Sequence, residues 1–335
     1  MVFKKEKGRI FYFCPDSAIP SGGIKKIYQH VDLLNELGFS AFVVHNKPGF
    51  RCSWFDNTTP IAYLYKVEKS LLILGPGKQQ KQLDALSSED ILVYPEVTPE
   101  KTIQQVMDLG FYTVIFNQNA YYTFLASSSI YKGENVLGAI VVSEDSKKYL
   151  EYTLPSLSTF RIHISIDFNI FSFQVAKKKQ IAYMPRKCES DSHQIISILN
   201  ERGLLKDWKV VPIDNMSERE VAHILKESAI FLSFSHAEGF GLPPVEAISC
   251  GCLVIGYHGG GGREYFQGDS IFPIVQGEII EYVKTVEKVT LNYNQEATHY
   301  AEATALASIL IQNIYSLKKE KEDLKNAWES ILYRK

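Results

Sequence analysis

The chain has 335 residues, enough for about two domains that each bury their own core. Its composition, 45% hydrophobic and 22% charged, is that of a globular protein, and its net charge of −2 gives no basic excess for binding nucleic acid. No apolar run reaches the length of a membrane span, and the first residues lack a signal-peptide cleavage pattern. We therefore expect a cytoplasmic protein whose membrane contact is peripheral at most.

The first half begins with a strand, a loop, a helix and a second strand. Residues 9–14 and 41–45 predict the two strands, and apolar residues at helical spacing predict the helix, which ends near Gly38. The intervening loop lacks the GxGxxG pattern, which argues against an NAD enzyme. Glycine lets a backbone come close to a ligand, so Gly22 and Gly23 are candidates for holding a phosphate at the helix N-terminus. A tight turn that needs glycine is the alternative.

Further elements of an α/β sheet follow. Residues 91–94 and 112–116 are short apolar runs typical of buried strands, and residues 98–109 between them predict a helix. The polar segment 117–122 comes directly after the second of these strands. Ligand sites of α/β proteins lie at the carboxyl ends of strands, which makes this segment a candidate site; a polar turn is the alternative.

We place the domain boundary in the polar and basic stretch before residue 180. The predicted domains are residues 1–172 and 173–335. The run of lysines at 177–179 is interpreted as a solvated turn.

A basic pair follows the first predicted strand of the second domain. Residues 181–184 predict that strand, and Arg186 and Lys187 come immediately after it. A guanidinium can bind a phosphate bidentately and offset the charge of a leaving group. The alternative is an exposed basic pair without function.

Residues 231–264 combine strand, loop and helix in the pattern of one unit of a parallel sheet. The predicted elements are a buried strand at 231–235, a loop at 236–241, a helix opened by Pro243 and Pro244 and ended by Gly251, a second strand at 253–257, and four glycines at 259–262.

Two carboxylates stand at the loop and at the start of that helix. The backbone N–H groups of residues 239–242 and the helix dipole form an anion site that suits a diphosphate. Glu246, one turn into the helix, is placed to accept hydrogen bonds from ribose hydroxyls, as acidic residues do in dinucleotide folds. Glu238, in the loop, would reach the sugar beyond the phosphates. The alternative is that both carboxylates only favour the helix dipole.

This stretch resembles the donor-binding pattern of retaining GT-B glycosyltransferases, especially the large family four, the glycosyl transferases group 1. The matching residues are Glu238, Gly239, Phe240, Gly241, Leu242, Pro243, Glu246, Ala247 and Gly251, followed by Gly259 to Gly262 and Glu264. Leu253 departs from the family, which often has proline there. The resemblance is strong at 231–264, moderate at 9–38 and weak elsewhere.

The resemblance implies an α/β GT-B fold with two Rossmann-like domains facing each other across a cleft and a C-terminal helix that crosses back to the first domain. It further implies transfer of a sugar from a nucleoside-diphosphate donor with retention of configuration. The nucleotide sugar is a co-substrate, and no cofactor is expected. The chain contains no pair of aspartates at DxD spacing, which is consistent with catalysis without a metal.

Roles for individual residues follow from the same resemblance. Glu238 is the candidate catalytic residue, and Asn119 is a second one, because family members place a histidine or polar group in that segment. The candidate substrate-binding residues are Gly22, Gly23, Arg186, Lys187, Gly239, Phe240, Gly241, Leu242 and Glu246. The family usually separates the arginine and the lysine by several residues, whereas here they are adjacent.

The acceptor and the oligomeric state stay open. A saccharide, a lipid-linked sugar or another small acceptor fits the class, and bacterial surface polysaccharide synthesis is its commonest setting. Two other functions remain: a catalytically degenerate GT-B subunit that holds a nucleotide sugar, and a sugar-nucleotide epimerase. The terminal helical pattern places Leu306, Leu310, Ile314, Leu317, Leu324 and Trp328 on one side, where they would contact the first domain, a second copy or a membrane surface.

Overall fold

The computed structural model describes residues 8–67, 71–75, 84–126 and 128–335. The chain divides into two compact units. Unit 1 consists of the chain up to Val142, Ser146–Ile162 and Lys321–Lys335, and unit 2 consists of Ser143–Asp145 and His163–Glu320. The division into domains at residue 172 stays a prediction.

Unit 1 is built on a sheet. Its described strands are β1 (Ile10–Phe13), β2 (Ala41–His45), β3 (Ile61–Val67), β4 (Leu71–Gly75), β5 (Asp84–Ala85), β6 (Ile91–Pro95), β7 (Tyr112–Asn117), β8 (Val136–Val141) and β9 (Thr159–Arg161). They lie in the order β5-β4-β3-β2-β1-β6-β7-β8-β9, and all neighbours are parallel except β3–β4 and β4–β5. The connections reverse direction between β1 and β6, and such a switch point is where open parallel sheets bind ligands.

Helices cover the sheet of unit 1. They are α1 (Gly22–Glu36), α2 (Glu100–Met107), α3 (Thr123–Ala126) and α4 (Glu144–Thr153). The inner strands carry β-branched and aromatic residues that are fully buried, which is the pattern of strands covered on both faces. The sequence predicted α1 and β2 closely, and α2 is shorter than the predicted 98–109.

Unit 2 contains a second parallel sheet. Its strands are β10 (Lys178–Tyr183), β11 (Lys209–Pro212), β12 (Ser228–Glu238), β13 (Leu253–Gly260) and β14 (Ile271–Pro273), in the order β11-β10-β12-β13-β14. Its helices are α5 (Glu189–Glu201), α6 (Glu218–Glu227), α7 (Leu242–Cys250), α8 (Ile279–Asn292) and α9 (Ala297–Ile314). The last helix, α10 (Leu317–Arg334), begins in unit 2 and continues in unit 1 from Lys321. Because β11 and β12 flank β10 on opposite sides, the switch point of this sheet lies between β10 and β12.

The lysine run at 177–179, which leads into β10, is not simply the solvated turn that the sequence had suggested. The ammonium of Lys177 donates to the backbone oxygens of Leu225 (3.2 Å), Lys226 (2.9 Å) and Cys250 (2.7 Å). These carbonyls lie at the C-terminal ends of α6 and α7, where the last carbonyls have no partner within the helix. Lys177 thus caps two helices with one positive charge, which also suits their dipoles.

The terminal helical pattern is interrupted, because α9 ends at Ile314 and α10 begins at Leu317. The predicted common apolar side is therefore wrong. Leu324 and Trp328 are fully buried, whereas Leu306, Leu310, Ile314 and Leu317 are each 44–60% exposed. The buried side of α9 instead carries Thr304, Ala307, Ser308 and Ile311.

The C-terminal part of α10 belongs to unit 1, as predicted for a helix that returns to the first domain. The indole N–H of Trp328 donates to the hydroxyl of Tyr12 on β1, at 3.2 Å. Both side chains are almost fully buried. A tryptophan needs a partner for its N–H when it is buried, and here a strand supplies that partner.

None of the helices formed by the described residues combines the length and the apolar character needed to cross a membrane.

Candidate active site

The candidate site of unit 2 lies at its switch point. Arg186 and Lys187 follow the end of β10, and Glu238 is the last residue of β12, the neighbouring strand. Because these strands are parallel, their carboxyl ends meet at one edge of the sheet. The topology thus brings together three of the residues that the sequence singled out.

Lys187 and Glu238 form an ion pair between the ammonium and the carboxylate Oε1. The side chain of Glu238 is 17% exposed and that of Lys187 44%. Partial burial of the ammonium and the nearby charge of Arg186 lower the pKa of Lys187 to about 8, while a neighbouring carboxylate favours the charged form. Arg186 is exposed. The site therefore carries positive charge next to its candidate catalytic carboxylate.

A bulge in β12 sets the direction of Glu238. The sequence predicted a loop from residue 236, but the strand continues to Glu238 with a shift of register between Ser235 and Glu238. Ala237 within the bulge has a φ of 48°, a conformation that few non-glycine residues adopt. Beyond the bulge, Glu238 pairs with Gly260 at the end of β13. Bulges re-aim side chains next to active sites.

Glycines after β13 are required by close packing against this segment. A Cβ at Gly261 would lie 2.1 Å from the carbonyl oxygen of Gly239, and a Cβ at Gly259 would lie 2.8 Å from the Cβ of Ser235. Such distances leave no room for a side chain. The glycine run at 259–262 therefore packs against the end of β12, which carries Glu238, and against Gly239.

The start of α7 offers backbone donors. Gly241 precedes the helix with a φ of 83°, and no side chain caps the helix. The first turn of a helix leaves four N–H groups without partners in the helix. Pro243 and Pro244 have none, so Gly241 and Leu242 supply the donors here. Glu246 follows one turn later and is half-buried.

Tyr265 stabilises the start of α7 through hydrogen bonds to the backbone that leads into it. Its buried hydroxyl lies 2.8 Å from the carbonyl oxygen of Phe240 and 2.6 Å from that of Gly241, and it donates to them. The ring of Phe240, itself buried, packs edge-on against Tyr265 at 5.3 Å between centroids. Phe240 thus contributes packing beneath the loop. Sequence reasoning missed Tyr265, since its partners lie 24 and 25 residues away.

Replacing Tyr265 by phenylalanine removes the hydroxyl and keeps the ring. We expect the free energy of unfolding of unit 2 to fall by about 1–2 kcal/mol, because two buried carbonyl oxygens lose their donor. Urea unfolding, followed by the ¹⁵N-indole signal of Trp208 in unit 2, measures this, because NMR separates that signal from those of Trp54 and Trp328 in unit 1. Tyr333→Phe, which removes a hydroxyl from a 93% exposed side chain of unit 1, is the control and should leave the stability of unit 2 unchanged. Equal stability of unit 2 in the two variants would contradict the role of Tyr265.

Glu264, which the sequence compared with a family glutamate, has a structural role. Its carboxylate accepts hydrogen bonds from the backbone N–H of Glu144 at 2.8 Å and from the hydroxyl of Tyr315 at 2.7 Å. It thereby connects residues 143–145 and the end of α9 to the turn after β13.

The remaining sequence candidates lie in unit 1. Gly22 and Gly23 form the first turn of α1, and a Cβ at Gly23 would lie 3.1 Å from the side chain of Gln118. Asn119 is buried and its side chain accepts the N–H of Tyr121 at 3.1 Å, which caps a short helical turn. The capping accounts for an asparagine at this position, and its catalytic role stays a prediction.

Unit 1 also contains a carboxyl group that the sequence did not single out. Glu96 directly follows β6 at the switch point of the sheet and is 4% exposed. Its Oε2 accepts the N–H of Gln118 at 3.1 Å. Burial raises the pKa of Glu96 to about 7, against the effect of backbone hydrogen bonds from Gln118 and Asn119. No local pattern in the sequence marks a buried carboxyl of this kind.

Among the residues that the structure describes, no three His, Cys, Asp or Glu side chains are grouped so that they could hold a metal ion. The cysteines are all free thiols.

Comparison with known proteins identifies relatives. The family model described as "Glycosyl transferases group 1" matches residues 189–305. An α-1,6-glucosyltransferase of Actinobacillus pleuropneumoniae is 31% identical over 268 residues, which cover 74% of this chain and 72% of that protein.

Two solved structures extend the comparison to nearly the whole chain. The sucrose-phosphate synthase of Thermosynechococcus elongatus has a TM-score of 0.64 at 11% identity, with 98% of this chain and 100% of that chain covered. The HepE protein of Anabaena in complex with UDP and glucose has a TM-score of 0.64 at 13% identity, with 96% and 100% covered. These likenesses confirm the predicted fold of two Rossmann-like domains.

Proposed function

Because the chain belongs to the glycosyl transferases group 1 family, we propose that this glycosyltransferase uses a nucleoside-diphosphate sugar as its donor. It transfers the sugar to a hydroxyl group of a saccharide or another small acceptor. Anomeric configuration is retained, and no metal ion takes part.

The observation that carries this proposal is the ion pair of Lys187 and Glu238 at the switch point of unit 2. A diphosphate needs positive charge and N–H donors, which Lys187, Arg186 and the start of α7 supply. A sugar next to it needs a carboxylate, which Glu238 supplies. The three features lie on adjacent loops of one sheet edge.

In this proposal each group of the donor has its own binding residues. The diphosphate lies on the backbone of residues 239–242 near Arg186 and Lys187, and the ribose hydroxyls donate to Glu246. Glu238 accepts from the hydroxyls of the transferred sugar. Gly22 and Gly23 at the start of α1 are proposed as further backbone donors to phosphate.

Glucose carried by UDP is the donor that the relatives support. The protein of A. pleuropneumoniae is named an α-1,6-glucosyltransferase, and HepE was solved with UDP and glucose. A glucose that is α-linked in the donor and α-linked in the product keeps its configuration. This relation supports retention in the present chain.

The chemistry follows from retention. The bond between the anomeric carbon and the diphosphate oxygen breaks through an oxocarbenium-like state, and the acceptor oxygen bonds on the same face. The acceptor proton passes to the departing phosphate oxygen. Glu238 stabilises the positive charge on the sugar, while Lys187, Arg186 and the N–H groups stabilise the negative charge on the nucleotide.

Nucleotide binding tests the donor assignment. Calorimetry at pH 7.5 with UDP, GDP and ADP, in buffer that contains EDTA, should show binding of UDP. We expect Glu246→Gln to weaken UDP binding roughly tenfold, because an amide accepts hydrogen bonds from ribose less strongly than a carboxylate. Glu278→Gln, which changes an exposed carboxylate of unit 2, should leave the affinity unchanged.

Other outcomes separate the remaining possibilities. Equal UDP affinity in Glu246→Gln would reject the ribose assignment. Binding that requires Mg²⁺ would reject metal independence. Binding of UDP-glucose without transfer to any acceptor and without release of glucose to water would favour a degenerate subunit, and conversion of the bound sugar to an epimer would favour an epimerase.

A further inference from the structure

A histidine side chain holds the backbone of the glycine run. The N–H of Gly260 donates to Nδ1 of His258 at 2.9 Å. Gly260 has φ 88° and ψ −78°, a conformation that is open to glycine and that residues with a Cβ rarely adopt. His258 is the last residue before the glycines and is half-buried. Glycine leaves the backbone free to adopt other conformations, so the hydrogen bond from His258 selects this one.

The backbone of Gly259 to Gly261 lies against the candidate catalytic segment. Gly260 pairs with Glu238 across β13 and β12. The Cα of Gly259 packs so closely on Glu238 that an added Cβ would lie 3.2 Å from its Cγ, and Gly261 touches the backbone of Gly239. A shift of the Gly260 peptide would therefore move Glu238 or the diphosphate loop.

The hydrogen bond requires a neutral ring with its proton on Nε2, because a protonated Nδ1 cannot accept. The charged groups that act on His258 are Arg263 in the turn after β13 and Asp145 of the segment 143–145. These two form an ion pair at 3.2 Å. From β12 the register partner is Ser235, which is uncharged. The ring of Phe266 packs edge-on at 6.1 Å.

Burial and Arg263 lower the pKa of His258, and Asp145 acts in the opposite direction. The ring therefore stays neutral at neutral pH and gains a proton only below the ordinary range of histidine, which is about 6.5.

We propose that His258 is a positioning residue of the donor site: it accepts the Gly260 N–H and so holds the glycine run against Glu238 and Gly239. Protonation of the ring breaks this hydrogen bond and displaces the loop. Donor binding then weakens in acid. The functional consequence rests on the proposed donor site, whereas the contact between His258 and the loop does not.

Two variants separate the hydrogen bond from other properties of the ring. Asparagine accepts the N–H of the residue two positions on, as in an Asx turn, and it does not titrate. His258→Asn should therefore keep the loop in place at every pH. His258→Ala removes the acceptor and should displace the loop at every pH.

The first measurement needs no ligand. In protein labelled with ¹⁵N-glycine, we expect the amide signals of Gly239, Gly260 and Gly261 of the wild type to shift together as the pH is lowered from 7.5 towards 5. The same signals should not titrate in His258→Asn, and in His258→Ala they should be displaced already at pH 7.5. A Gly260 signal that titrates alone, or equally in both variants, would overturn the proposal.

The second measurement is UDP affinity by calorimetry over the same pH range. His258→Ala should bind roughly five- to tenfold more weakly at pH 7.5, since one hydrogen bond is lost. The wild type should lose affinity relative to His258→Asn as the pH falls. Protonation of UDP itself affects both proteins equally, so it does not contribute to this difference. A relative gain in affinity would show that His258 binds phosphate directly and would overturn the positioning role. Failure of the wild type to bind any nucleotide would reject the donor assignment, and the amide signals would still decide the role of His258.

Discussion

Glu238→Gln should lower the turnover of the enzyme on the order of a hundredfold or more while leaving UDP binding intact. The change keeps the shape of the side chain and removes the negative charge that, in the proposed mechanism, stabilises the oxocarbenium-like sugar. Lys187, released from its ion pair with Glu238, remains available to the diphosphate. Initial rates of transfer and calorimetry on the same preparation measure both quantities.

A second lysine–glutamate pair in unit 2 provides the matched control. Lys178 and Glu227 form an ion pair at 2.5 Å, and Glu227 is the last residue of α6. Glu227→Gln should leave turnover unchanged, since this pair lies at the amino end of β10, away from the switch point. Unchanged turnover in a folded Glu238→Gln would exclude Glu238 from the chemistry. A loss of affinity as large as the loss of turnover would make it a residue of ground-state binding.

The sequence predicted unit 2 well around Glu238 because backbone geometry dictates many residues there. Gly251 has the positive φ of a helix end, and Pro243 and Pro244 lie in the first turn of α7, as expected. Gly261 has no space for a Cβ. Each of these features favours glycine or proline at a particular position. The sequence therefore shows them directly.

The supporting contacts of the site could not be predicted in the same way. Tyr265 donates to the backbone carbonyls of Phe240 and Gly241. Every residue has such a carbonyl, so the residue types at these positions do not indicate the hydrogen bonds. The bulge at Ala237 is likewise a property of register between β12 and β13. Both contacts join groups that are far apart in the sequence and close in the fold. A local sequence pattern contains no information about such distances.

Two other predictions were wrong because they were made from neighbours in the sequence. Lys177 was interpreted from its two lysine neighbours, yet the ends of α6 and α7 provide its partners. The spacing of Leu310 and Trp328 fits one helix face, but the break between α9 and α10 places one in solvent and the other in the core. Periodicity predicts a face only where the helix is continuous.

The antiparallel pairing of β3 with β4 was also not predicted. Residues 71–74 are apolar, but nothing in them distinguishes a hairpin from another parallel strand. Residues 76–83, which follow β4, lie outside the residues that the structure describes.

The buried carboxyl group of Glu96 should make the stability of unit 1 depend on pH, which the sequence alone would not suggest. Burial raises its pKa from 4.5 to about 7, so the folded protein holds this proton more tightly than the unfolded chain does. The resulting stabilisation is fully present below pH 4.5 or so and is lost as the pH rises to about 7. One pKa unit corresponds to about 1.4 kcal/mol, so the free energy of unfolding of unit 1 should fall by roughly 2.5 kcal/mol across this range.

Glu96→Gln removes this dependence, because the amide is neutral at every pH and retains an oxygen for the N–H of Gln118. Urea unfolding of unit 1 can be followed in a Trp208→Phe background, since the other two tryptophans, Trp54 and Trp328, belong to unit 1. Relative to the Glu96→Gln protein, the parent should lose roughly 2.5 kcal/mol between pH 5 and pH 8. Glu134→Gln, a change at an exposed carboxylate of the same unit, should follow the parent at every pH. Parallel curves for the parent and Glu96→Gln would mean that Glu96 is ionised at neutral pH, in which case backbone hydrogen bonds from Gln118 and Asn119 outweigh its burial.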